Sequence, residues 1–323
     1  MNVAWHRYSL YGLRIRSTAP IHGLREFADD AAADLTIFDD EMPPGLDSES
    51  PRWVPAESLT LAADAPSVMD KQTVRQSDDG QFLQWRYGDH MTLAFSIDGS
   101  KFYTRWGTHV DPAVRAFNIF GPGLGLVLRL RGVPALHASV VDISGKGIAI
   151  TGASGAGKST LAAAFEQSGA EVRSDDLCAL YVVGERLLIP QGPPRVRLLP
   201  DAAHALFGET GTFSPAPDHE KLEHPLHWLT VGTIEEVVPL EAVYILAGRE
   251  EVWRISQFGG SSALFTLMRS VYLRFLTNAS MRQRDFEVID ALLQRIPVFL
   301  MVTPNGHHQL TKLCREIISR HSS

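Results

Sequence analysis

The clearest alternation of hydrophobic and polar residues lies in three short runs, at residues 82–87, 91–97 and 101–106. Turns that contain glycine separate the runs, and in the middle run apolar residues recur at every second position. Because side chains of a β-strand point alternately to its two faces, this period predicts an antiparallel meander with one buried face. Residues 39–55 are rich in Pro, Asp, Glu and Ser, which predicts a surface loop or linker.

After about residue 130 the pattern changes to alternating strands and helices. Apolar runs at residues 136–143 and 148–151 predict two strands, and the Ala/Leu-rich segment Lys158–Gln167 predicts a short helix. Further strands are predicted at 170–174, 177–183, 187–189 and 297–302, and further helices at 261–276, 284–295 and 309–319. The sequence therefore predicts two domains, a β-rich domain at residues 1–130 and an α/β domain at residues 131–323.

A phosphate-binding motif lies between the second of these strands and the helix. Its residues match G-x-x-x-x-G-K-[ST] at every position, in the strand–loop–helix context that the motif requires. Glycines allow the backbone N–H groups to turn toward an anion, Lys158 adds positive charge, and the Ser159 hydroxyl is a Mg²⁺ ligand. A glycine turn with a surface lysine is the alternative. We expect ATP and Mg²⁺ as cofactors, with the phosphates contacted by Gly152, Ala153, Ser154, Gly155, Ala156, Gly157, Lys158, Ser159 and Thr160.

Two adjacent acids, Asp175 and Asp176, follow a predicted strand 17 and 18 residues after Lys158. Neighbouring carboxylates repel each other unless a cation lies beside them, although aspartates are also common in solvated turns. Beside a phosphate-binding loop, one acid for Mg²⁺ and one for an acceptor hydroxyl is the natural division. His137 lies 15 residues before Gly152, and taken alone it is more typical of a core or edge histidine.

Three elements together resemble the catalytic core of the HPr kinase/phosphorylase family. They are the run His137-Ala-Ser-Val-Val-Asp-Ile, the phosphate-binding loop, and Ser174-Asp175-Asp176. The resemblance covers residues 131–183 and extends more weakly over residues 194–201. It implies an α/β fold in which a P-loop kinase domain of the HPr kinase type follows the β-rich domain.

The same resemblance implies a role for each of the candidate site residues. His137 is expected beside the transferred phosphoryl group, and Asp175 is expected to be the general base for a serine hydroxyl. Asp176 is expected to hold the metal together with Ser159, and Lys158 to be the third catalytic residue. The chain therefore resembles an ATP-dependent serine kinase.

The N-terminal part resembles a divergent branch of the family. The runs at residues 8–15 and 121–139 are similar to HPr-kinase-like proteins of ribosomal peptide modification, which include the lasso peptide kinases. That branch phosphorylates a serine, typically C-terminal, of a precursor peptide, so a peptide or small protein is the expected substrate. The alternatives are an HPr-type sensor kinase acting on a carrier protein and a nucleotide-gated binding module without transfer activity. We expect the N-terminal domain to hold the peptide along an edge strand, or else to cap the kinase domain or build a homo-oligomer.

Several further residues are candidates for binding anions or metal. Arg195, Arg197 and Lys221 are candidate phosphate ligands, with strand-edge or surface charges as the alternative. Three histidines, His219, His224 and His227, suggest a metal site, but they have no cysteine partner and no helical i, i+4 spacing, which argues against zinc.

Composition limits the class of partner and the compartment. The net charge is −7 and no run is rich in Lys or Arg, which argues against nucleic acid. Two cysteines, Cys178 and Cys314, cannot build a disulfide framework, and the N-terminus lacks the apolar run of a signal peptide. Arginines interrupt the most apolar segments, so no membrane span is predicted and a cytoplasmic protein is expected.

Overall fold

The computed structural model describes residues 4–26, 31–56, 59–61, 72–216, 220–226 and 237–322. The chain divides into two compact units. Unit 1 comprises Met1–Val133 and Leu273–Arg284, and unit 2 comprises Pro134–Tyr272 and Asp285–Ser323. The first break lies close to residue 130, whereas the hydrophobic pattern did not indicate that residues 273–284 join unit 1. The division into independent domains stays a prediction.

Unit 1 is built mainly from short strands. They are β1 (His6–Leu10), β2 (Leu13–Ser17), β3 (Leu35–Phe38), β4 (Trp53–Pro55), β5 (Thr60–Leu61), β6 (Gln72–Ser77), β7 (Phe82–Tyr87), β8 (Met91–Ser96), β9 (Lys101–Trp106) and β22 (Leu276–Thr277). Eight of the described strands form one sheet in the order β1-β2-β3-β9-β8-β7-β6-β4. The predicted meander is confirmed, because β7 pairs with β8 and β8 with β9, both antiparallel.

The prediction that this meander has one buried face is wrong. On β8, Phe95 stacks on Phe102 of β9 with ring centroids 4.7 Å apart. Thr92 and Ala94, which point to the opposite face, are 4% and 0% exposed. Ile97, expected on the buried face, lies beyond the end of β8 and is 41% exposed. Both faces of the central strand are therefore covered.

Residues 39–55 cover the second face of β8, the face to which Thr92 and Ala94 point. Leu46 and Trp53 are buried in one cluster with Ala94 and Tyr103. The segment was expected to be a surface loop because its apolar residues are few and scattered. Those few residues nevertheless reach the sheet, so the segment forms part of the core of unit 1.

A helical stretch of unit 1 is long and apolar. Helix α1 (Pro112–Asn118), a π-helical turn (Ile119–Gly123) and helix α2 (Leu124–Leu130) follow one another without interruption. Against the sequence expectation, this stretch is the one among the described residues that passes a test of length and composition for crossing a membrane. This composition is weak evidence for a membrane span, because 56% of the apolar stretch is buried inside the structure. Core helices of soluble proteins have the same length and composition.

Unit 2 alternates strands with helices. Its strands are β10 (Ala135–Leu136), β11 (Ala138–Ile143), β12 (Lys146–Gly152), β13 (Glu171–Ser174), β14 (Cys178–Ala179), β15 (Tyr181–Val183), β16 (Arg186–Pro190), β17 (Arg195–Leu198), β18 (Ser214–Pro215), β19 (Leu222–Pro225), β20 (Val237–Glu250), β21 (Arg254–Gln257) and β23 (Val298–Pro304). Its helices are α3 (Lys158–Gln167), α4 (Pro200–Phe207), a 3₁₀ turn (Gly208–Thr210), α5 (Gly260–Arg269), the greater part of α6 (Ala279–Arg295) and α7 (His307–His321). The protein is thus a mixed α/β protein with several sheets.

Helices cover both faces of the main sheet of unit 2. Alternate side chains of β11 and β12 point to opposite faces, because a strand has a period of two. One face packs with α3, α4 and α7, as shown by Ile150 beside Phe165 and Leu313 in one buried cluster. The other face packs with α5 and α6, where Ala149 lies in a second cluster with Leu267. This layered arrangement places the sheet in the middle of the unit, between the two layers of helices.

Helix α5 is shorter than the prediction of residues 261–276. It ends at Arg269, after which Val271 forms an isolated antiparallel bridge with Leu136, and Leu273 has a left-handed φ of 52°. The hydrophobic pattern continues beyond Arg269 because Val271, which forms the bridge, is also buried. The helical period of hydrophobic residues therefore did not mark where the helix ends.

Candidate active site

The elements that carry the motif residues end at one edge of the unit 2 sheet. Strands β12, β13, β20 and β23 run parallel to one another, and β11 and β21 run antiparallel to them. The carboxyl-terminal ends of the four parallel strands therefore lie along the same edge, which is where α/β proteins bind ligands. The phosphate-binding loop follows β12, and the acidic pair follows β13.

The loop between β12 and α3 has glycines where a side chain would not fit. Gly152 has a φ of 151°, and a Cβ atom there would lie 3.0 Å from the carbonyl oxygen of Leu246 on β20. Gly157, the residue before α3, has a left-handed φ of 102° that L side chains rarely adopt. The loop thus approaches β20 closely and turns sharply into α3, whose first N–H groups face an incoming anion.

Lys158 is folded over this loop. Its side chain is 7% exposed, and Nζ donates to the carbonyl oxygens of Gly152 and Ala153 at 3.1 and 3.2 Å. Burial lowers the pKa of Lys158, the nearby carboxylates of Asp175 and Asp176 oppose that shift, and the charge of Lys221 adds to it. The ammonium group therefore lies between the loop and the acidic pair.

Asp175 is held by three donors from three different elements. Oδ1 accepts from the hydroxyl of Ser139 on β11 at 2.7 Å and from the hydroxyl of Ser159 on α3 at 2.9 Å. Oδ2 accepts from the backbone N–H of Arg197 on β17 at 3.1 Å. With 9% of its surface exposed, this carboxylate is fixed against the metal-ligand position of the phosphate-binding motif.

Asp176 faces a different set of partners. Oδ2 accepts from Nη2 of Arg197 at 3.2 Å, and Oδ1 lies 3.2 Å from Nδ1 of His137. The side chain of Asp176 is 28% exposed, and its backbone has a positive φ of 78°, which is uncommon for a residue with a Cβ atom. The turn at Asp176 thus separates two adjacent carboxylates, one buried and one accessible.

His137 occupies the break between β10 and β11. Its backbone N–H donates to the carbonyl oxygen of Ser270 at 2.7 Å, and Nδ1 lies 3.0 Å from the carbonyl oxygen of Asp176. Because a carbonyl can only accept, Nδ1 carries the proton in this contact. Burial lowers the pKa of His137, Lys158 adds to that shift and Asp176 opposes it. The neutral ring therefore presents an unprotonated Nε2.

The three predicted anion ligands differ in their surroundings. Arg197 contacts both acids, as described above, and Lys221 lies close enough to affect the pKa of Lys158. Arg195, two residues earlier on β17, instead forms an ion pair with Glu223 at 2.7 Å, with side chains 16% and 12% exposed. Arg197 and Lys221 thus lie near the candidate site, whereas the described ion pair of Arg195 is directed to β19.

His224 is engaged by groups other than a metal. Nδ1 donates to the carbonyl oxygen of Thr212 at 3.1 Å, and Nε2 lies 3.6 Å from a carboxylate oxygen of Glu166. Among the described residues, no group of three or more His, Cys, Asp and Glu side chains could hold a metal ion. The other two histidines considered for zinc, His219 and His227, lie outside the described residues.

Two residues at the site were not identified from the sequence. Ser139 lies two positions after His137, and its buried hydroxyl is bonded to Asp175. Arg249 lies near the end of β20, where its Nη2 atom is 3.0 Å from the position that a Cβ of Gly157 would occupy. The period of two in β11 could have suggested Ser139, whereas Arg249 comes near the loop only through pairing of β12 with β20.

Comparison with known proteins gives a partial match to one family. No family model matches the chain. It is 32% identical over 110 residues to an HPr kinase/phosphorylase of Limosilactobacillus reuteri (strain DSM 20016), covering 32% of this chain and 34% of that protein. It is 35% identical over 74 residues to an HPr kinase/phosphorylase of Exiguobacterium sp. (strain ATCC BAA-1283 / AT1b), covering 23% and 24%.

A solved structure of similar description was also found, that of the Hpr(Ser) kinase/phosphatase from Coxiella burnetii. The identity is 15%, the TM-score is 0.28, and the match covers 58% of this chain and 95% of that one. In sequence, the chain spans about a third or less of the length of the curated relatives it matches. These partial sequence matches support a relationship between this chain and the HPr kinase/phosphorylase family.

Proposed function

We propose that this protein is an ATP-dependent kinase that phosphorylates a serine hydroxyl of a peptide or small protein. The observation that carries the proposal is the arrangement of two acids at the phosphate-binding loop. Asp175 is bonded to the motif serine, Ser159, at 2.9 Å, while Asp176 lies beside His137 and Arg197. A nucleotide-binding module needs the first of these contacts but has no use for the second.

The oxygen atoms present fit a magnesium ion that is shared with a nucleotide. Mg²⁺ prefers oxygen ligands and is usually bound by one or two protein groups together with substrate phosphates. The Asp175 carboxylate and the Ser159 hydroxyl supply two such oxygens at the loop. Bound there, Mg²⁺ would neutralise charge on the β- and γ-phosphates.

The residues around the loop can each take part in phosphoryl transfer. The acceptor oxygen forms a bond to the γ-phosphorus, the bond from that phosphorus to the β–γ bridging oxygen breaks, and ADP leaves. Asp176, the accessible acid, takes the proton of the acceptor hydroxyl. Lys158, Arg197 and Lys221 are the cations that balance negative charge on the transferred group.

This division of roles is the reverse of the one that the family resemblance implied. Asp175, expected as the general base, is 9% exposed and accepts a hydrogen bond from Ser159, the metal-ligand serine of the phosphate-binding motif. Asp176, expected as the metal ligand, is the acid that an acceptor can reach. We propose Asp175 as the metal ligand and Asp176 as the base. Neutral His137 then orients Asp176 through its protonated Nδ1.

The finer identity of the acceptor is proposed from sequence resemblance. We propose a ribosomally synthesised precursor peptide of the lasso type as the substrate, with the N-terminal unit as the part that holds it. A second candidate, HPr or a similar carrier protein, is favoured by the description of the sequence relatives as HPr kinase/phosphorylases. The predictions of no nucleic-acid partner, no membrane partner, a cytoplasmic location and a possible homo-oligomer belong to the same proposal.

Substitution of the proposed base tests the function. Asp176→Asn should bind ATP–Mg²⁺ within about threefold of the wild type but transfer phosphate at least about 100-fold more slowly, because the amide cannot accept the proton. Asp201→Asn, which changes an exposed acid on α4 of the same unit, is the matched control. Transfer to serine peptides is followed by mass spectrometry, and binding by calorimetry. Full transfer activity in Asp176→Asn would refute the assignment, and ATP binding without any transfer in the wild type would favour the binding module.

A further inference from the structure

We propose that unit 2 carries a second binding site, for a guanidinium or primary ammonium group, in a cleft at the C-terminal end of α3. The cleft has a volume of about 430 Å³. It is lined by residues 166–167 at the end of α3, by residues 206–207 at the end of α4, and by residues 211–212 and His224. Except for His224, each of these residues keeps part of its surface exposed, so the cleft is open to a ligand.

The cleft is separate from the candidate active site. The phosphate-binding loop lies at the N-terminal end of α3, where Ser159 is in the first turn. Glu166 follows Ser159 by seven positions, which is about 10 Å along the helix axis. A ligand in the cleft would therefore not occupy the position of the phosphates, and the proposal does not depend on the proposed kinase activity.

The position of Glu166 makes the cleft electronegative. The C-terminal end of an α-helix carries a partial negative charge, which stabilises cations there and disfavours anions. Glu166 lies in the last turn of α3, and this turn contains no basic residue. Among the described residues that line the cleft there is no Lys or Arg. A cation is therefore the class of ligand that the electrostatics of the cleft favour.

The carboxylate of Glu166 lacks hydrogen-bond donors. Its Oε2 atom is buried, lies 3.6 Å from Nε2 of His224, and accepts no hydrogen bond from the described residues. The side chain as a whole is 19% exposed, so part of it is accessible from the cleft. A partly buried charge without hydrogen bonds costs free energy, and an N–H donor that carries a positive charge would offset that cost.

Aromatic rings form a preassembled wall of the cleft. The ring of His224 packs against those of Phe207 and Phe213, with centroids 4.0 and 5.6 Å away. A Cβ atom at Gly211 would lie 2.3 Å from the ring of Phe213, so only glycine allows the turn to approach these rings. Guanidinium groups stack on aromatic rings, and Phe207 offers its half-buried ring to the cleft.

These groups together fit a cation on an aliphatic chain. The carboxylate of Glu166 accepts the N–H groups, and the side chains of Leu206 and Phe207 contact the methylene carbons. A neutral group of the same shape lacks the attraction to Glu166, and an anion is repelled by it. Two sources share this chemistry, a free organic cation and an arginine or lysine side chain of a bound peptide.

Binding of N-acetyl-L-arginine amide to the full chain tests the proposal. The titration follows the ring NMR signals of Phe207 and His224 at about pH 8.5, where arginine is charged and a proton on His224 competes least with the ligand. The wild type should bind this probe at least about tenfold more tightly than N-acetyl-L-citrulline amide, which has the same shape and no charge. Glu166→Gln should lose the preference. Glu209→Gln, which removes an exposed acid outside the cleft, is the matched control and should keep it.

The comparison of the two probes on the wild type needs no variant, so it stands even if Glu166→Gln fails to fold. Equal binding of the two probes, no shift of either ring signal, or an unchanged preference in folded Glu166→Gln would overturn the cation site. The blocked tripeptide N-acetyl-Gly-Arg-Gly amide then identifies the source of the cation. Binding at least about fivefold tighter than that of N-acetyl-L-arginine amide supports a peptide side chain, and equal binding supports a free cation.

Discussion

The three donors around Asp175 predict that two substitutions of this residue will differ sharply in stability. Asp175→Ala removes the acceptor for the hydroxyls of Ser139 and Ser159 and for the backbone N–H of Arg197. In Asp175→Asn, the amide nitrogen can donate to both hydroxyls while the amide oxygen accepts from the N–H group. The amide therefore keeps all three contacts, with the two hydroxyl bonds reversed in direction, and loses the charge.

The expected loss of stability depends on whether water can reach the donors that lose Asp175 as their acceptor. Ser139 is 0% exposed, so its hydroxyl stays unsatisfied in Asp175→Ala, and the N–H of Arg197 is partly buried. An unsatisfied buried donor costs about 1–3 kcal/mol, so we expect Asp175→Ala to lower the free energy of unfolding by about 2–4 kcal/mol. Asp175→Asn should lower it by about 1 kcal/mol or less.

Loss of the charge should appear in magnesium binding instead. Two unit charges 4 Å apart interact by about 4 kcal/mol at an effective dielectric constant of 20, and water recovers part of this when the carboxylate is absent. We therefore expect Mg²⁺ to raise the ATP affinity of the wild type at least tenfold more, about 1.4 kcal/mol, than that of Asp175→Asn. The same measurement on Asp176→Asn should give a wild-type response to Mg²⁺.

Urea unfolding measures the stabilities, and calorimetric titration with ATP, with and without Mg²⁺, measures the metal response. Equal stability of the Ala and Asn variants would show that the three-donor arrangement does not hold Asp175. A wild-type Mg²⁺ response in Asp175→Asn, with a lost response in Asp176→Asn, would restore the division of roles that the family resemblance implied.

Other predictions concern pH and the loop. Burial lowers the pKa of His137, so the contribution of its neutral ring to stability is complete above pH 6.5 and is lost as pH falls. NMR titration of His137 should give a midpoint below pH 6.5, and a midpoint above pH 6.5 would contradict the buried neutral ring. Burial opposes charge on His224, yet its contacts with Glu166 and Thr212 leave its pKa raised, so its contribution is present below pH 6.5 and lost as pH rises through its pKa. Denaturant unfolding should therefore show a larger loss for His224→Gln at pH 6 than at pH 8, and the opposite order would refute this. Gly157→Ala and Gly169→Ala both place a Cβ at positive φ, at a cost of about 1–2 kcal/mol. Only Gly157→Ala should also weaken ATP binding, because Gly157 lies in the phosphate-binding loop and its Cβ would displace Arg249; equal ATP affinities of the two variants would contradict this.

Local sequence patterns predicted the elements whose contacts are local. Helix α3 begins at Lys158 and ends at Gln167 as expected, because a glycine loop starts it and an unbroken Ala/Leu pattern continues it. The strands of the meander were predicted for the same reason. The role of residues 39–55 was not, because Leu46 and Trp53 are isolated apolar residues whose burial depends on a distant sheet.

The sequence predicted which residues belong to the candidate site, but not how the two acids are oriented within it. Spacing predicted that Lys158, Asp175 and Asp176 belong to one site, and in the structure both carboxylates lie close enough to Lys158 to affect its pKa. The left-handed backbone turn at Asp176 decides that Asp175 is the acid that contacts Ser159. The spacing of residues in the sequence does not predict this turn. The arrival of Arg249 at the loop depends on strand pairing across the sheet, so it could be found only from the fold.

Phosphoryl transfer itself is the most direct test of the account. The wild-type protein is incubated with ATP and Mg²⁺ and one of three acceptors: a peptide ending in serine, the same peptide ending in alanine, or HPr. Mass spectrometry should find one added phosphoryl group on a serine of the first or third acceptor and none on the second. Asp176→Asn should form this product at least about 100-fold more slowly while still binding ATP. Tight ATP–Mg²⁺ binding by the wild type without phosphate on any serine acceptor would contradict the kinase assignment.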